Sequence, residues 1–488
     1  MKKYLNMIGG RSVEGSTGEW IEAIDPSRGT PFALVPHGTV DDLNAAVDAA
    51  RLAFETGPWP KISDADRARL LRRLAELLEK NIKEFIELEV RDNGRSMKET
   101  QGGFLPSVAE TIYFYAGLAD KIHGETIRIS PDSLNYTIPE PLGVVGLIIP
   151  YNAPLTVLAT KLCAALAAGN TAVVKPSEHA ACTSLRFAEL ARDAGFPDGV
   201  INVVAGFGHD VGAALVSHPA VPKIALTGSG ATAQVVSASA APHLKQLQFE
   251  LGGKSPHVIF EDADLAAAVP EAVRGVMTGS AGQSCIAGSR ILIQRSIYKE
   301  AVEAMLREAR TLKIGDPFDM ETDLGPLSFA AQFDKVQSFV AKGDVPGAEL
   351  LMGGKVAAER FADGSPLRGG YFYEPTFFAC ESNGLQIARE EVFGPVGAFI
   401  PFDTEEEALQ IANDSDFGLA AGVWSNDIKR ALRFVQKVQA GQVWVNCFRR
   451  THWAFPVGGF KKSGYGKDFG VDALKEYQQT KMAYVQLT

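Results

Sequence analysis

Cysteine is scarce in this chain: five residues among 488, namely Cys163, Cys182, Cys285, Cys380 and Cys447. Their number is odd and no two stand in a CxxC spacing, which argues against a disulfide framework and a thiolate metal site and for a reducing compartment. Basic charge is also in deficit. With 48 Lys and Arg against 58 Asp and Glu the formal charge is −10. There is no basic stripe of the kind that phosphate backbones require, so a nucleic-acid partner is not expected. Long apolar runs are missing too. None reaches the ~20 residues of a membrane span, and the two lysines of MKKYLNMIGG are not followed by an apolar stretch. These absences describe a globular, cytoplasmic protein with no membrane partner. Its length exceeds what one core fills, so two or three domains are expected.

What is present is a rhythm. From residue 142 short β-rich apolar runs alternate with segments of helical period: LGVVGLII, a helix over 154–168, TAVVK, a helix over 180–194, VINVVAG, a helix over 210–217, then KIALTG. Strand–helix–strand repetition at this spacing predicts an α/β domain with a doubly wound, Rossmann-like parallel sheet. Residues 43–54 and the long Leu-, Arg- and Glu-rich stretch 63–89 carry amphipathic helical patterns that would cover the sheet. A second α/β series starts after Gly252 and Gly253 with HVIF, a helix over 265–278, RILIQ, a helix over 299–312, and later AGVWS and GQVWVN. Two β-forming stretches stand outside both series, TIRISPDSLNYTIP and KMAYVQL. Isolated strands of this kind are expected to pair with something, such as another subunit through an exposed edge.

Three separated points carry chemistry. Cys285, in GQSCIAGSR, follows Gly279, Ser280, Ala281, Gly282 and Ser284, all small enough to admit a substrate. If Ile286–Arg290 opens a short helix, its N–H groups favour a thiolate over a thiol of pKa ~8.5. The other four cysteines read as small buried hydrophobes. Glu250, in FELGGKSP, sits where a β-former meets two glycines; alone it would be a turn carboxylate. Asn152, in PYNAP, follows an apolar strand, and its amide could serve an oxyanion, though beside proline it would ordinarily be turn chemistry. A clean GxGxxG is lacking. Gly206, Gly208 and Gly212 precede one helix and TGSG precedes the next, a weak signal for a phosphate cradle.

The strings IPYNAPLTVLATKLCAALAAGNTAVVKPSE, FELGGKSPHVIFEDADL, AGQSCIAGSR, EEVFGPV and GGFKKSGYG resemble, in order and across nearly the whole chain, the signature segments of the NAD(P)-dependent aldehyde dehydrogenase superfamily. The resemblance implies an oxidoreductase that converts an aldehyde to a carboxylic acid with NAD, NADP being the alternative. It implies Cys285 as nucleophile, Glu250 as general base and Asn152 as oxyanion donor. Lys175 and Glu178 of KPSE would hold the adenine ribose and Ser229 of TGSG the pyrophosphate, with Ser177, Gly208, Gly212, Thr227, Gly228 and Leu251 completing the cofactor set. Glu391 and Phe393 would hold the nicotinamide ribose and ring. A carboxylate at Glu178 that bonds a ribose 2′-OH would repel a 2′-phosphate, so NAD is expected over NADP. The implied domains are 1–122 with 142–252 for the cofactor and 253–468 for catalysis. Residues 123–141 with 469–488 form a β-strand arm that joins subunits into a homodimer or homotetramer. No metal is implied.

Those roles suit the reaction. An aldehyde carbon releases hydride only after a nucleophile has made it tetrahedral, and a thiol does so by forming a thiohemiacetal. The oxyanion needs fixed donors, and the thioester left behind needs a base that activates water.

Departures from the family pattern sharpen the expectations. Gly230, Ala231, Thr232 and Ala233 follow TGS, which suggests a looser adenine pocket. Gln479 stands where many relatives carry a glutamate read as helping to activate water, so Glu250 is expected to work without that help. Tyr151 replaces a tryptophan. Ala153, Thr156 and Thr160 replace bulky pocket residues and widen the substrate tunnel, with Tyr113, Phe114, Tyr115, Phe448, Trp453 and Phe455 as candidate aromatic walls. A bulky or aromatic aldehyde fits this, while Arg449 and Arg450 raise a carboxylate-bearing substrate as the competitor. Two other possibilities are a CoA-acylating relative, a type that generally lacks the ELGGK glutamate, and a non-catalytic scaffold, which would be free to lose its thiol.

Overall fold

In the computed structural model, which describes residues 1–488, LGVVGLII forms the buried strand Val144–Ile149. Around it lie Ile201–Val203, Thr171–Pro176, Lys223–Thr227 and Gln246–Glu250. All five are parallel, in the spatial order 201–203, 171–176, 144–149, 223–227, 246–250. The direction of winding reverses between Val144–Ile149 and Lys223–Thr227. A crevice opens beyond the carboxyl ends of strands at such a switch point. Antiparallel additions extend the sheet, Asn6–Ile8 and Arg11–Val13 at one edge and Gly464–Tyr465 at the other.

The helices follow from local signals. Val40–Glu55 begins with a reciprocal capping box between Thr39 and Asp42. Pro154–Ala167 starts on a proline at its first position, where the missing N–H costs nothing, and is buried over nearly its whole length. The amphipathic stretch 63–89 is two helices rather than one, Asp64–Lys80 and Ile82–Asn93. Asn81 leaves helical geometry and its amide donates to the Leu77 carbonyl at 2.7 Å. The apolar period runs on through that break, so periodicity alone does not reveal it.

After Glu250 the chain crosses to a second sheet whose strands run Ala348–Met352, Thr376–Cys380, Val396–Phe402, Arg290–Gln294, Pro256–Ile259, Ala420–Trp424, Gln442–Val445 in spatial order. It is parallel except at the Ala348–Met352 edge. Because only residues 251–255 separate the two sheets, the carboxyl edge of the first meets the amino edge of the second. Everything that ends a strand of one or precedes a strand of the other is delivered to this seam.

The two β-formers outside the series, Ser133–Pro141 and Gln478–Gln486, pair with each other along their full lengths as an antiparallel ribbon. Between the seam and the ribbon, helix Gly470–Lys475 buries Ala473 and Leu474, and Tyr477 follows them into the core of the first sheet.

Candidate active site

Glu250 is the last residue of its strand, paired with Thr227 on one side and with Gly464 on the other. Gly464 has φ +115°, and a Cβ there would lie 1.9 Å from the Phe249 carbonyl oxygen. Only glycine allows the closing strand to approach this closely. Glu250 is 7% exposed, and its Oε1 has no partner. Burial, with the nearby Asp468, pushes its carboxyl well above the usual range, while Lys161 and Lys467 oppose the shift.

Lys161, fully buried on helix Pro154–Ala167, bonds both oxygens of Asp468 at 3.1 and 2.9 Å. Gln248 donates to Asp468 at 2.8 Å. The carboxylate behind the site is therefore Asp468, a residue that sequence reasoning passed over. Gln479, expected to mark a lost assistant to Glu250, is exposed on the ribbon opposite Glu140. The expectation there is corrected: position 479 is not part of this site. Asp468 lies eight residues after Phe460 in GGFKKSGYGKD, and a partner for the lysine in the apolar run TKLCAALAA was the signal that could have found it.

Asn152 follows the strand Val144–Ile149 at the switch point. Its amide donates to the Gln283 carbonyl at 2.8 Å, which uses one of two N–H groups and leaves the other as a donor. Cys285 lies two residues beyond Gln283. The expected helix after it is absent: the chain makes a turn and enters strand Arg290–Gln294. Arg290 explains the path, because its buried guanidinium donates to the carbonyls of Lys254, Ile411 and Ala412 and to Asn383, each at 2.8 to 2.9 Å. Without a helix terminus the thiol is not acidified. Burial, then Glu391 and Glu250, push it up to about 12, against the N–H groups of Ile286 and Cys285 itself. Of the other cysteines, Cys163, Cys182 and Cys380 are buried as expected, and Cys447 is half-buried.

Cys285, Glu250 and Asn152 line one cavity of about 470 Å³ together with Lys175, Ser177, Glu178, Gly208, Gly212, Thr227, Gly228, Ser229, Leu251, Glu391 and Phe393. Lys175 donates to Glu178 at 2.7 Å. Burial alone would raise the Glu178 carboxyl, but the ammonium outweighs it and holds the group below its usual range. Ser229 caps helix Gly230–Ala240, accepting from Thr232 N at 3.1 Å, and Ser229 and Thr232 both line the cavity. Glu391 accepts from Gly253 N at 2.9 Å, and a Cβ on Gly252 would meet its Oε2 at 2.2 Å. Phe393 sits at φ +59°, pinned by Gln332, whose amide donates to the Val392 and Phe393 carbonyls at 3.1 and 2.7 Å. Gln332 and Lys335, which also line the cavity, were not foreseen.

Several expected wall residues lie elsewhere. Tyr115 and Phe448 are core residues, Tyr113 bonds Glu79 on the surface, and Phe455 is largely exposed. Trp453 stacks on His452. Arg449 donates to the Thr278 carbonyl at 3.2 Å and Arg450 pairs with Glu271 at 2.8 Å.

A crevice at a doubly wound switch point, lined by an internal Lys–Glu pair, a capped helix start and a cysteine thiol, is the arrangement of a dinucleotide-dependent oxidoreductase. The sequence matches the model of the aldehyde dehydrogenase family over residues 13–483. It is 41% identical to aldehyde dehydrogenase family 2 member C4 of Arabidopsis thaliana, covering 98% of this chain and 94% of that one. It is 42% identical to the mitochondrial aldehyde dehydrogenase of Sus scrofa, covering 96% and 90%. Its fold superposes on the NAD+ complex of an aldehyde dehydrogenase from Bacillus cereus with TM-score 0.96, at 40% identity over 100% of this chain and 97% of that one. The chain belongs to the aldehyde dehydrogenase family: it is an enzyme that oxidises aldehydes with NAD as cofactor. No helix is long and apolar enough to cross a membrane.

The raised thiol gives a direct test. In the cofactor-free enzyme, iodoacetamide alkylation of Cys285 is expected to climb about tenfold per pH unit from pH 7 to 10 without levelling; a plateau below pH 8 would reveal a thiolate already formed.

Proposed function

We propose that Cys285 is the nucleophile, Asn152 an oxyanion donor and Glu250 the base that activates water, with the eleven other predicted residues of the shared cavity holding NAD. The observation that carries this is that single cavity, shared by all three side chains and the whole cofactor set. Lys175 and Glu178 suit an adenine ribose, the turn at Thr227–Ser229 a pyrophosphate, and Glu391 with Phe393 the nicotinamide end. Bound NAD supplies the two-electron acceptor.

The chain's own residues do the rest. The Cys285 sulfur adds to the aldehyde carbon as its proton passes to solvent; the C–S bond forms, the carbonyl π bond breaks and its electron pair stays on the oxygen. The free N–H of Asn152 and the Cys285 N–H hold the oxygen that becomes negative; losing one such donor typically costs roughly 10²–10³ in rate. Oxidation leaves a thioester on Cys285. Glu250 takes a proton from water, and its burial, which with Asp468 raises the carboxyl above its usual range while Lys161 opposes the rise, makes the ionised group a stronger base. Attack of that water breaks the C–S bond and frees the acid. Presence of Glu250 favours water over CoA as the acyl acceptor.

The substrate is a bulky or aromatic aldehyde. Ala153, Thr156 and Thr160, on the turn and helix that follow Asn152, are small, and Arg450 is already paired with Glu271, while Arg449 donates to the main-chain carbonyl of Thr278. The ribbon is the contact for a second copy: Met482, Tyr484 and Leu487 are 69, 53 and 59% exposed along it, more apolar surface than a lone strand edge ordinarily shows to water. Free cysteines throughout accord with a cytoplasmic setting. The cofactor sheet and the catalytic sheet act as separate domains, 1–122 with 142–252 and 253–468.

Cys285→Ala is expected to abolish turnover. Glu250→Gln should give one burst of NADH followed by slow turnover, and should remove the rise of kcat with pH that deprotonation of a raised carboxyl produces; an unchanged steady state would assign the base elsewhere. In an aldehyde panel run with NAD and NADP, kcat/KM is expected to peak for large apolar aldehydes with NAD, and a maximum at acetaldehyde or a short semialdehyde would overturn the substrate assignment. Light scattering should report a dimer or tetramer that the pair Met482→Asp, Tyr484→Asp dissociates, and a monomeric parent chain would contradict the ribbon contact.

A further inference from the structure

The segment that leads to Cys285 is unusual. Gly279, Ser280, Ala281 and Gly282 are four consecutive residues in the left-handed region, at φ +80°, +56°, +53° and +75°. Two of them carry a Cβ, for which this backbone is unfavourable, and such a run persists only where its surroundings over-determine it. Gly282 is fixed by crowding, since a Cβ there would lie 2.3 Å from the Gly394 carbonyl oxygen. The start of the run is held differently. The carboxylate of Glu99 accepts from Gly279 N at 2.5 Å and from Ser280 N at 3.2 Å.

Glu99 comes from a different part of the fold, the short helix Met97–Glu99, and does not line the cavity. Its neighbour Arg95, 5% exposed, stands 3.8 Å away and donates to the Asn152 carbonyl at 2.7 Å. The hydroxyl of Ser280 donates to that same carbonyl at 3.2 Å. Arg95 is itself steadied by the ring of Phe104, 3.6 Å below its guanidinium. The pair therefore grips both the main chain leading to the thiol and the main chain that carries the Asn152 amide.

We propose that Glu99 is a positioning residue for the reaction, acting through the Gly279 and Ser280 N–H groups to set where Cys285 stands, with Arg95 carrying the same restraint to Asn152. This rests on Cys285 being the nucleophile. A charged acceptor bridging two adjacent N–H groups makes stronger bonds than a neutral one, and a carboxamide in its place would turn an N–H toward one of those donors. The geometry is then lost where it matters most, because a displacement of about 1 Å at a reacting centre can cost on the order of 10²-fold in rate.

The test compares Glu99→Gln and Glu99→Asp with the parent enzyme and with Cys285→Ala, reading kcat, KM for NAD, thermal midpoint and the rate of iodoacetamide labelling of Cys285. The expected result is a fall in kcat of about 10²-fold in Glu99→Gln, with KM for NAD within about twofold. Labelling at high pH should be altered in the same variant, and Glu99→Asp should lie between it and the parent. Parental kcat and labelling in Glu99→Gln would overturn the proposal, as would a loss of kcat matched by an equal rise in KM for NAD, which signifies general loosening. Should one variant melt below the assay temperature, the other decides by the same two readouts. Turnover by Cys285→Ala would instead defeat the nucleophile assignment, whatever Glu99 does.

Discussion

The hydrogen bond from the Asn152 amide to the Gln283 carbonyl, at 2.8 Å, joins the two sheets at their reactive ends. Asn152 belongs to the turn that leaves the first sheet, and Gln283 to the loop that enters the second. Gln283 is anchored in turn, its amide donating to the Ser280 carbonyl at 2.6 Å and its side-chain oxygen accepting from Ser328 N at 3.1 Å. The thiol and the amide are thus not positioned independently; each is located relative to the other by that bond. Preorganised donors gain their value from such fixity, since nothing need move as charge develops.

Beneath this seam lies a charge arrangement that contributes little to stability as such. Lys161 is buried with Asp468, and Lys223 reaches Glu476 at 3.4 Å. Desolvation offsets most of the attraction in pairs of this kind. They do bear on Glu250: burial raises its carboxyl first, Asp468 and Glu476 add to the rise, and Lys161 and Lys467 limit it.

Much of the fold was legible because its signals are local. Apolar runs of five to eight residues between helical periods marked strands of the first sheet along the chain, though not their order in space, and glycines at 252 and 253 marked the passage between sheets. The cofactor residues could be named by family likeness, and they share a cavity. Illegible were features that depend on distant contacts. The break at Asn81 is a side-chain bond within a continuous apolar pattern. The path after Cys285 is decided by Arg290 reaching carbonyls more than a hundred residues away. Aromatic residues such as Tyr115 and Phe448 look alike in sequence whether they wall a tunnel or fill a core. Asp468 and Glu99 are single charges in polar stretches, and only the folded chain reveals what they touch.

The ribbon bears on how the protein is made. Lys481 and Glu140 pair across it although 341 residues separate them. At synthesis rates of ~5–20 residues per second, the strand Ser133–Pro141 leaves the ribosome roughly 20–70 s before its partner exists. During that interval it offers an open edge to other nascent chains, so the slow arrival of the last β-strand makes early aggregation, rather than loss of the finished fold, the hazard that cellular chaperones must manage.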